Sequence, residues 1–205
     1  RNIEVRPMRI DDFEELVDIQ ELCFPGMSAW TRAQIESRLR KFPEGQLVVE
    51  YNGRVVASSS SLIVDFNEYS EWHNWKAISN NGFITNHDPD GDTLYGIEVM
   101  VDPDYRGMKI GRRLYDARKE LVHKLNWKRI VIGGRVPNYH KYADKMDIYE
   151  YVDRVQAKEI YDPVLTFQLA NSFNLKRIIT GYMQSDAESQ GFALLLEWVN
   201  WHYSP

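Results

Sequence analysis

Residues 93–132 constrain the fold more than any other stretch of the chain. Thr93 to Val101 has strand character and Asp102-Pro103-Asp104 turns the chain. Gly111 to Leu125 is then helical, with Ile110, Leu114, Ala117, Leu121, Val122 and Leu125 on one stripe, and Arg129-Ile130-Val131-Ile132 is a short apolar strand. Two strands joined through a helix form a β-α-β unit, which places them parallel in one sheet. Upstream, Leu47 to Tyr51 and Arg54 to Ala57 flank Asn52-Gly53, a pair that accepts the positive φ angles of a tight hairpin turn, and the second run continues to Val64 through four serines. An antiparallel hairpin feeding a β-α-β unit predicts a mixed sheet.

The remaining segments fill in that frame. Ile3, Val5 and Pro7 alternate with Asn2, Glu4 and Arg6, a strand that Pro7 confines to an edge or a strand end. Asp11 and Glu14 open a helix that Phe24-Pro25-Gly26 stops, and Thr31 with Gln34 opens a second that carries Ile35, Leu39 and Phe42. Residues 65–92 and 139–162 lack sustained periodicity and read as two long insertions, the second holding a helix around Ile148, Tyr151, Val152 and Val155. Val164 to Asn171 reads as a helix, and Arg177 to Met183 and Phe192 to Trp198 as closing strands. The expectation is one α/β domain over residues 1–205, with a mixed, mostly antiparallel central sheet flanked by helices.

Charge and cysteine content exclude several classes. The 25 basic against 30 acidic residues give a net charge of −5, which argues against a general nucleic-acid binder. A single cysteine, Cys23, allows no disulfide within the chain, and no apolar run is long enough to span a bilayer. A cytoplasmic protein without membrane contact is expected. The start at Arg1, in place of methionine, is expected of a piece of something longer.

Against that acidic background Arg106, Lys109, Arg112 and Arg113 place four cations within eight residues, around Gly107 and Gly111 and at the start of the helix. The first turn of a helix offers backbone N–H groups without internal partners and the positive end of its dipole, so an anion, phosphate above all, suits this position. A lone glycine pair with cations is ordinarily a tight turn beside a solvated helix face. Neither a Walker loop nor a dinucleotide fingerprint is present.

The string Val99 to Leu114 resembles motif A of the GNAT N-acetyltransferase superfamily, Val-x-Pro-x-x-Arg/Gln-x-x-Gly-x-Gly/Ala, through Val101, Pro103, Arg106 and Gly111. The order of elements over nearly the whole chain resembles that fold. The resemblance implies acetyl-CoA as co-substrate. Val99, Met100 and Val101 would align the acetyl-pantetheine end, and Arg106, Gly107, Met108, Lys109, Ile110, Gly111 and Arg112 would hold the pyrophosphate. Asn138 would lie near pantetheine. Where the motif has its inner glycine this chain has Lys109, for which a negative φ is expected. Many members carry a proton-donating tyrosine where Gln168 stands, and Gln168 delivers no proton.

Transfer to an amine needs a base, since an ammonium cannot attack a thioester. Glu98 occupies a position where members keep one, and is equally readable as a solvated or ion-paired strand residue. Tyr95, taken to lie on the opposite face, and Tyr139, with His140 and Tyr142, are further candidates for proton transfer. Asn86 to Gly91 suggests a calcium loop, but its twelfth position is Ile97, and the five histidines show no paired ligand spacing, so no metal is expected. Cys23 reads as a packing residue.

The insertions, Asp162-Pro163-Val164-Leu165 and Glu197-Trp198-Val199-Asn200-Trp201 resemble, more narrowly, the N-terminal domain of bacterial proteins that join a GNAT domain to a carbon-nitrogen hydrolase domain. The expected activity is direct acyl transfer from acetyl-CoA to an unidentified amine by general base catalysis. The alternative is a catalytically weak CoA-binding regulatory module attached to such a hydrolase domain. A homodimer is compatible with either.

Overall fold

In a computed structural model that describes residues 2–205, the strands form one seven-stranded sheet of order β1-β2-β3-β4-β5-β7-β6. The strands are β1 (Ile3–Pro7), β2 (Leu47–Tyr51), β3 (Arg54–Val64), β4 (Thr93–Val101), β5 (Arg129–Gly134), β6 (Asn174–Ile179) and β7 (Ala193–Val199). Every neighbouring pair is antiparallel except β4 and β5, the two strands of the β-α-β unit. β1 lies at the sheet edge and ends at Pro7, as a residue without an N–H requires. The β2–β3 hairpin turns through Asn52 at φ 50° and Gly53 at φ 82°.

Helices α1 (Phe13–Cys23) and α2 (Arg32–Lys41) cover one face of the first strands, burying Leu16, Ile19 and Ile35 with Val48, Val55 and Met100. The cap of α2 is the expected one: the Gln34 N–H donates to Thr31 Oγ1 at 3.2 Å, and the Thr31 N–H donates to Gln34 Oε1 at 2.8 Å. Counting the short helix Trp75–Ser79 as α3, helix α4 (Ile110–Lys124) covers the other face, packing Ile110 and Leu114 against Val49, Val56 and Ala57. Each fully buried side chain of this kind contributes about 1.5–3 kcal/mol. The second insertion holds α5 (Ile148–Gln156), and α6 (Leu165–Ala170) follows it.

Two departures from the sequence reading matter for the site. The strand expected from Arg177 to Met183 runs instead from Asn174 to Ile179. Gly181 has a φ of 64°, and Tyr182 is held outside the ladder, its N–H bonded to Gly191 O and its carbonyl accepting from the Trp75 N–H. In β4, Ser60 faces Glu98 while Ser61 faces Gly96, so Ile97 is an extra residue in a β-bulge. The bulge resets the alternation. Tyr95 faces Leu62 and Glu98 faces Ser60, so the two lie on the same side of the sheet, not on opposite sides as a regular strand requires.

A buried ion cluster anchors β1. Arg6 grips Asp12 with two bonds of 2.9 and 2.8 Å and reaches Glu50 at 2.9 Å. Burial alone would raise the Asp12 carboxyl, but the bonds from Arg6 and from the Arg9 N–H outweigh it and hold the group below the usual carboxylate range. Its stabilisation is therefore present above pH about 4 and fades as the pH falls below that. Asp12→Asn is expected to lower stability by about 3–5 kcal/mol at pH 7, by analogy with other broken buried pairs, and by clearly less at pH 3, as read from urea unfolding at both pH values.

Candidate functional site

β4 and β5 pair only from Thr93 with Arg129 to Gly96 with Ile132. Beyond this point they part, and a cleft of about 1710 Å³ opens between them, larger than the roughly 300–1,000 Å³ of ordinary small-molecule pockets. Side chains take over the bonding at the bulge: Trp75 Nε1 donates to Ile97 O at 3.0 Å, and Arg118 Nη2 donates to both Ser60 O and Glu98 O. On the β5 side the Tyr182 ring lies over Gly133, where even a methyl group would overlap it. The amide of Gln168 packs against Gly134 in the same manner.

The glycine loop lies at one end of this cleft. Asp102 caps a short turn by accepting from the Asp104 N–H at 2.9 Å, Gly107 takes a φ of 84°, and Lys109 precedes the helix at φ 60°, ψ 26°. The negative φ expected at Lys109 is therefore corrected. The turn from strand to helix demands the left-handed conformation whichever residue stands there, at a cost of about 1–2 kcal/mol for a residue with a Cβ. The first helical bond is Arg113 N–H to Lys109 O at 3.2 Å, so the amides of Ile110, Gly111 and Arg112 lack partners within the helix.

Arg106, Gly107, Lys109, Ile110, Gly111 and Arg112 line the cleft, as do Val99, Met100, Val101 and Asn138. Met108 and Arg113 do not. Met108 packs against the core under α4, and Arg113 joins it at a separate shallow hollow. Three of the four clustered cations thus face the cleft. Cys23 lines it too, donating to Val101 O at 3.2 Å; burial pushes its thiol up despite Arg106 nearby, so it remains protonated. Gln168 is 6% exposed, donates from Nε2 to Tyr115 Oη at 3.1 Å, and leaves Oε1 without a protein partner.

The three candidates for proton transfer fare differently. Glu98 lines the cleft, with Oε1 accepting from Ser58 Oγ at 2.8 Å and Oε2 paired with Arg38 Nη1 at 3.5 Å. Glu98 is thus ion-paired and also at the cleft wall. Arg38 is 0% exposed, stacks on Trp30 at 4.5 Å, and Trp30 stacks on Trp75 at 5.4 Å. Tyr95 is also 0% exposed and is walled off from the cleft by Tyr182. Tyr139 is buried, donates to Met146 O at 3.1 Å, and does not line the cleft; neither do His140 and Tyr142. A side chain committed to a core carbonyl cannot reach a substrate across the cleft wall.

Sequence reasoning missed Arg38, Trp30, Trp75, Tyr182 and Arg135. The last grips Asp186 with bonds of 2.8 and 2.6 Å at the cleft wall. No local signal marks them, because each acts through a residue distant in sequence. Among the described residues no three metal-ligating side chains cluster, and no helix is long and apolar enough to cross a membrane. Because Lys109 is held in a left-handed conformation, Lys109→Gly is expected to raise the unfolding free energy by up to about 1 kcal/mol, measured by chemical denaturation.

The family model described as "Acetyltransferase (GNAT) family" matches residues 13–143. The chain is 52% identical over 205 residues to "Probable hydrolase YhcX" of Bacillus subtilis (strain 168), covering 100% of this chain but only 39% of that protein. It is 37% identical over 205 residues to "Uncharacterized N-acetyltransferase YkwB" of the same organism, covering 98% of this chain and 90% of that one. Among solved structures, the loading GNATL domain of CurA from Lyngbya majuscula superposes with a TM-score of 0.85 at 20% identity, covering 97% of this chain and 98% of that one. The GphF GNAT-like decarboxylase in complex with isobutyryl-CoA superposes with a TM-score of 0.74 at 23% identity, covering 96% and 98%. At these identities the two structures speak to the fold.

Proposed function

The chain belongs to the GNAT acetyltransferase family, and on that premise we propose that residues 1–205 act as one domain that binds acetyl-CoA, or another acyl-CoA, and passes the acyl group directly to an amine. The carrying observation is the parting of β4 from β5 beside the partner-free amides of Ile110, Gly111 and Arg112. Those amides, with Arg106, Lys109 and Arg112, offer a pyrophosphate both hydrogen bonds and charge at one end of a cleft of about 1710 Å³. Asn138, and Gln168 through its unpartnered Oε1, offer amide partners to a pantetheine arm.

The acyl thioester supplies the activated carbonyl, and the protein's contribution is to place an amine against it and to receive a proton. Glu98, bonded to Arg38 and Ser58 at the cleft wall, presents its carboxyl group to an incoming ammonium. The open cleft with a half-buried cysteine whose thiol is pushed up by desolvation favours direct transfer over a relay through Cys23.

Gln168 favours a second reading, in which transfer is weak and the domain senses CoA for an attached enzyme. The relative named as a hydrolase, of which this chain spans 39%, is compatible with a linked domain of that kind. Calorimetry with acetyl-CoA tests what the two readings share, and thiol release with a panel of amines separates them. Acetyl-CoA is expected to bind with a salt-dependent affinity. Gly111→Val, which crowds the Phe167 ring and the first helical turn, is expected to weaken it on the order of tenfold, about 1.4 kcal/mol. A folded protein that shows no heat of binding would sink both readings.

A further inference from the structure

Glu98 is already engaged by Arg38 and Ser58, so the proton of an attacking ammonium needs another taker. A hydrogen-bonded chain begins at the cleft wall. Tyr182 lines the cleft, is 6% exposed, and has its hydroxyl 2.9 Å from that of Tyr95. The Tyr95 hydroxyl lies 2.7 Å from His73 Nε2, and His73 Nδ1 lies 3.0 Å from Tyr69 O. A carbonyl oxygen only accepts, so Nδ1 carries the ring proton, and the neutral ring offers a lone pair at Nε2. Tyr95 must then donate to His73 and accept from Tyr182. Each proton points inward, which leaves the lone pairs of the Tyr182 hydroxyl, on a side chain that lines the cleft, free to accept.

We infer that Tyr182, Tyr95 and His73 form the route by which the cleft takes a proton from the attacking amine, an inference that rests on the transfer proposed above. Tyr182 is the group that touches the amine; Tyr95 and His73 act through it. The ammonium gives a proton to Tyr182 Oη as the Tyr182 proton moves to Tyr95 Oη and the Tyr95 proton to His73 Nε2. The free amine attacks the thioester carbon, and the C–S bond breaks. The second nitrogen proton goes to the departing sulfur. The proton later returns through Tyr95 and Tyr182 and leaves to water from the emptied cleft, so one ammonium and one thioester yield an amide, a thiol and a proton.

The surroundings keep the route poised. The Tyr182 backbone is clamped on both sides, by Gly191 O and the Trp75 N–H, and its ring rests on Gly133. His73 is packed edge-on by Phe66 and Tyr69 of its own segment, by Tyr95 of β4 and by Tyr182. Arg177 of β6 is the charged group that acts on it. Burial, reinforced by Arg177, lowers the imidazole below its usual value and keeps it a neutral acceptor. Burial pushes both tyrosines up, so they pass protons and do not rest as phenolates.

Long-range proton–nitrogen NMR on the whole chain at neutral pH reads the chain's direction without turnover. The expected result is a His73 ring protonated at Nδ1 and bare at Nε2; a proton on Nε2 overturns the inference. With acetyl-CoA and an amine that supports thiol release, Tyr182→Phe should lower kcat/KM on the order of 100-fold while acetyl-CoA affinity stays unchanged. His73→Gln, or Tyr95→Phe should the former not fold, should remove the low-pH limb and its plateau, so that the rate climbs with pH toward the acceptor's own pKa. A profile unchanged in these variants overturns the relay and leaves the transfer standing. Bound acetyl-CoA that releases no thiol with any amine sinks the transfer, and the relay with it.

Discussion

A parallel pair of strands that stops pairing halfway is the constraint on which the rest of this structure depends. Backbone N–H and C=O groups taken from a ladder must find other partners, since leaving them bare in an interior costs about as much as the lost hydrogen bonds. Here the carbonyls of Ile97, Glu98 and Val101 take donors from Trp75, Arg118 and Cys23, each from a different element. The first insertion, α4 and α1 are therefore tied to the site by hydrogen bonds as well as by packing. Opening the sheet without these substitutes would leave a gap that closed or filled with water.

The bulge at Ile97 couples this opening to the electrostatics. One extra residue moves Glu98 to the face where Arg38 is buried, and leaves Tyr95 on the same face deeper in the sheet. A fully buried guanidinium is tolerated only with partners, and Arg38 finds them in Glu98, Ser60, the Gly82 carbonyl and the face of Trp30. The desolvation that lowers Arg38 outweighs the raising effect of Glu98, which marks how dry the region beneath the cleft is. A dry floor strengthens every polar contact a ligand makes above it.

Legibility in the sequence followed the range of the interaction. The Asn52-Gly53 turn, the Thr31 cap, the strand from Thr93 to Val101 and the glycine loop are local devices, set by residues within a few positions of one another, and each was readable. So were most of the side chains that line the cleft near the loop, because one strand, one turn and one helix carry them. The face of Glu98 was not, because a bulge adds a residue without any special residue to mark it. The conformation of Lys109 was not, because the closure of the loop overrode the preference of its side chain.

The sequence by itself determined the element order, the mixed sheet and the place where a helix N-terminus gathers four cations beside a strand. Periodicity, turn chemistry and charge are properties of short stretches, and they survive whatever the distant parts of the chain do. Only the tertiary structure decided which polar groups meet. Tyr182 reaches Tyr95 across 87 positions and Arg38 reaches Glu98 across 60, through contacts that exist only once the first insertion and the β6–β7 connection have closed over the sheet. Contacts at such separation are fixed by packing, and packing is settled by the whole chain at once.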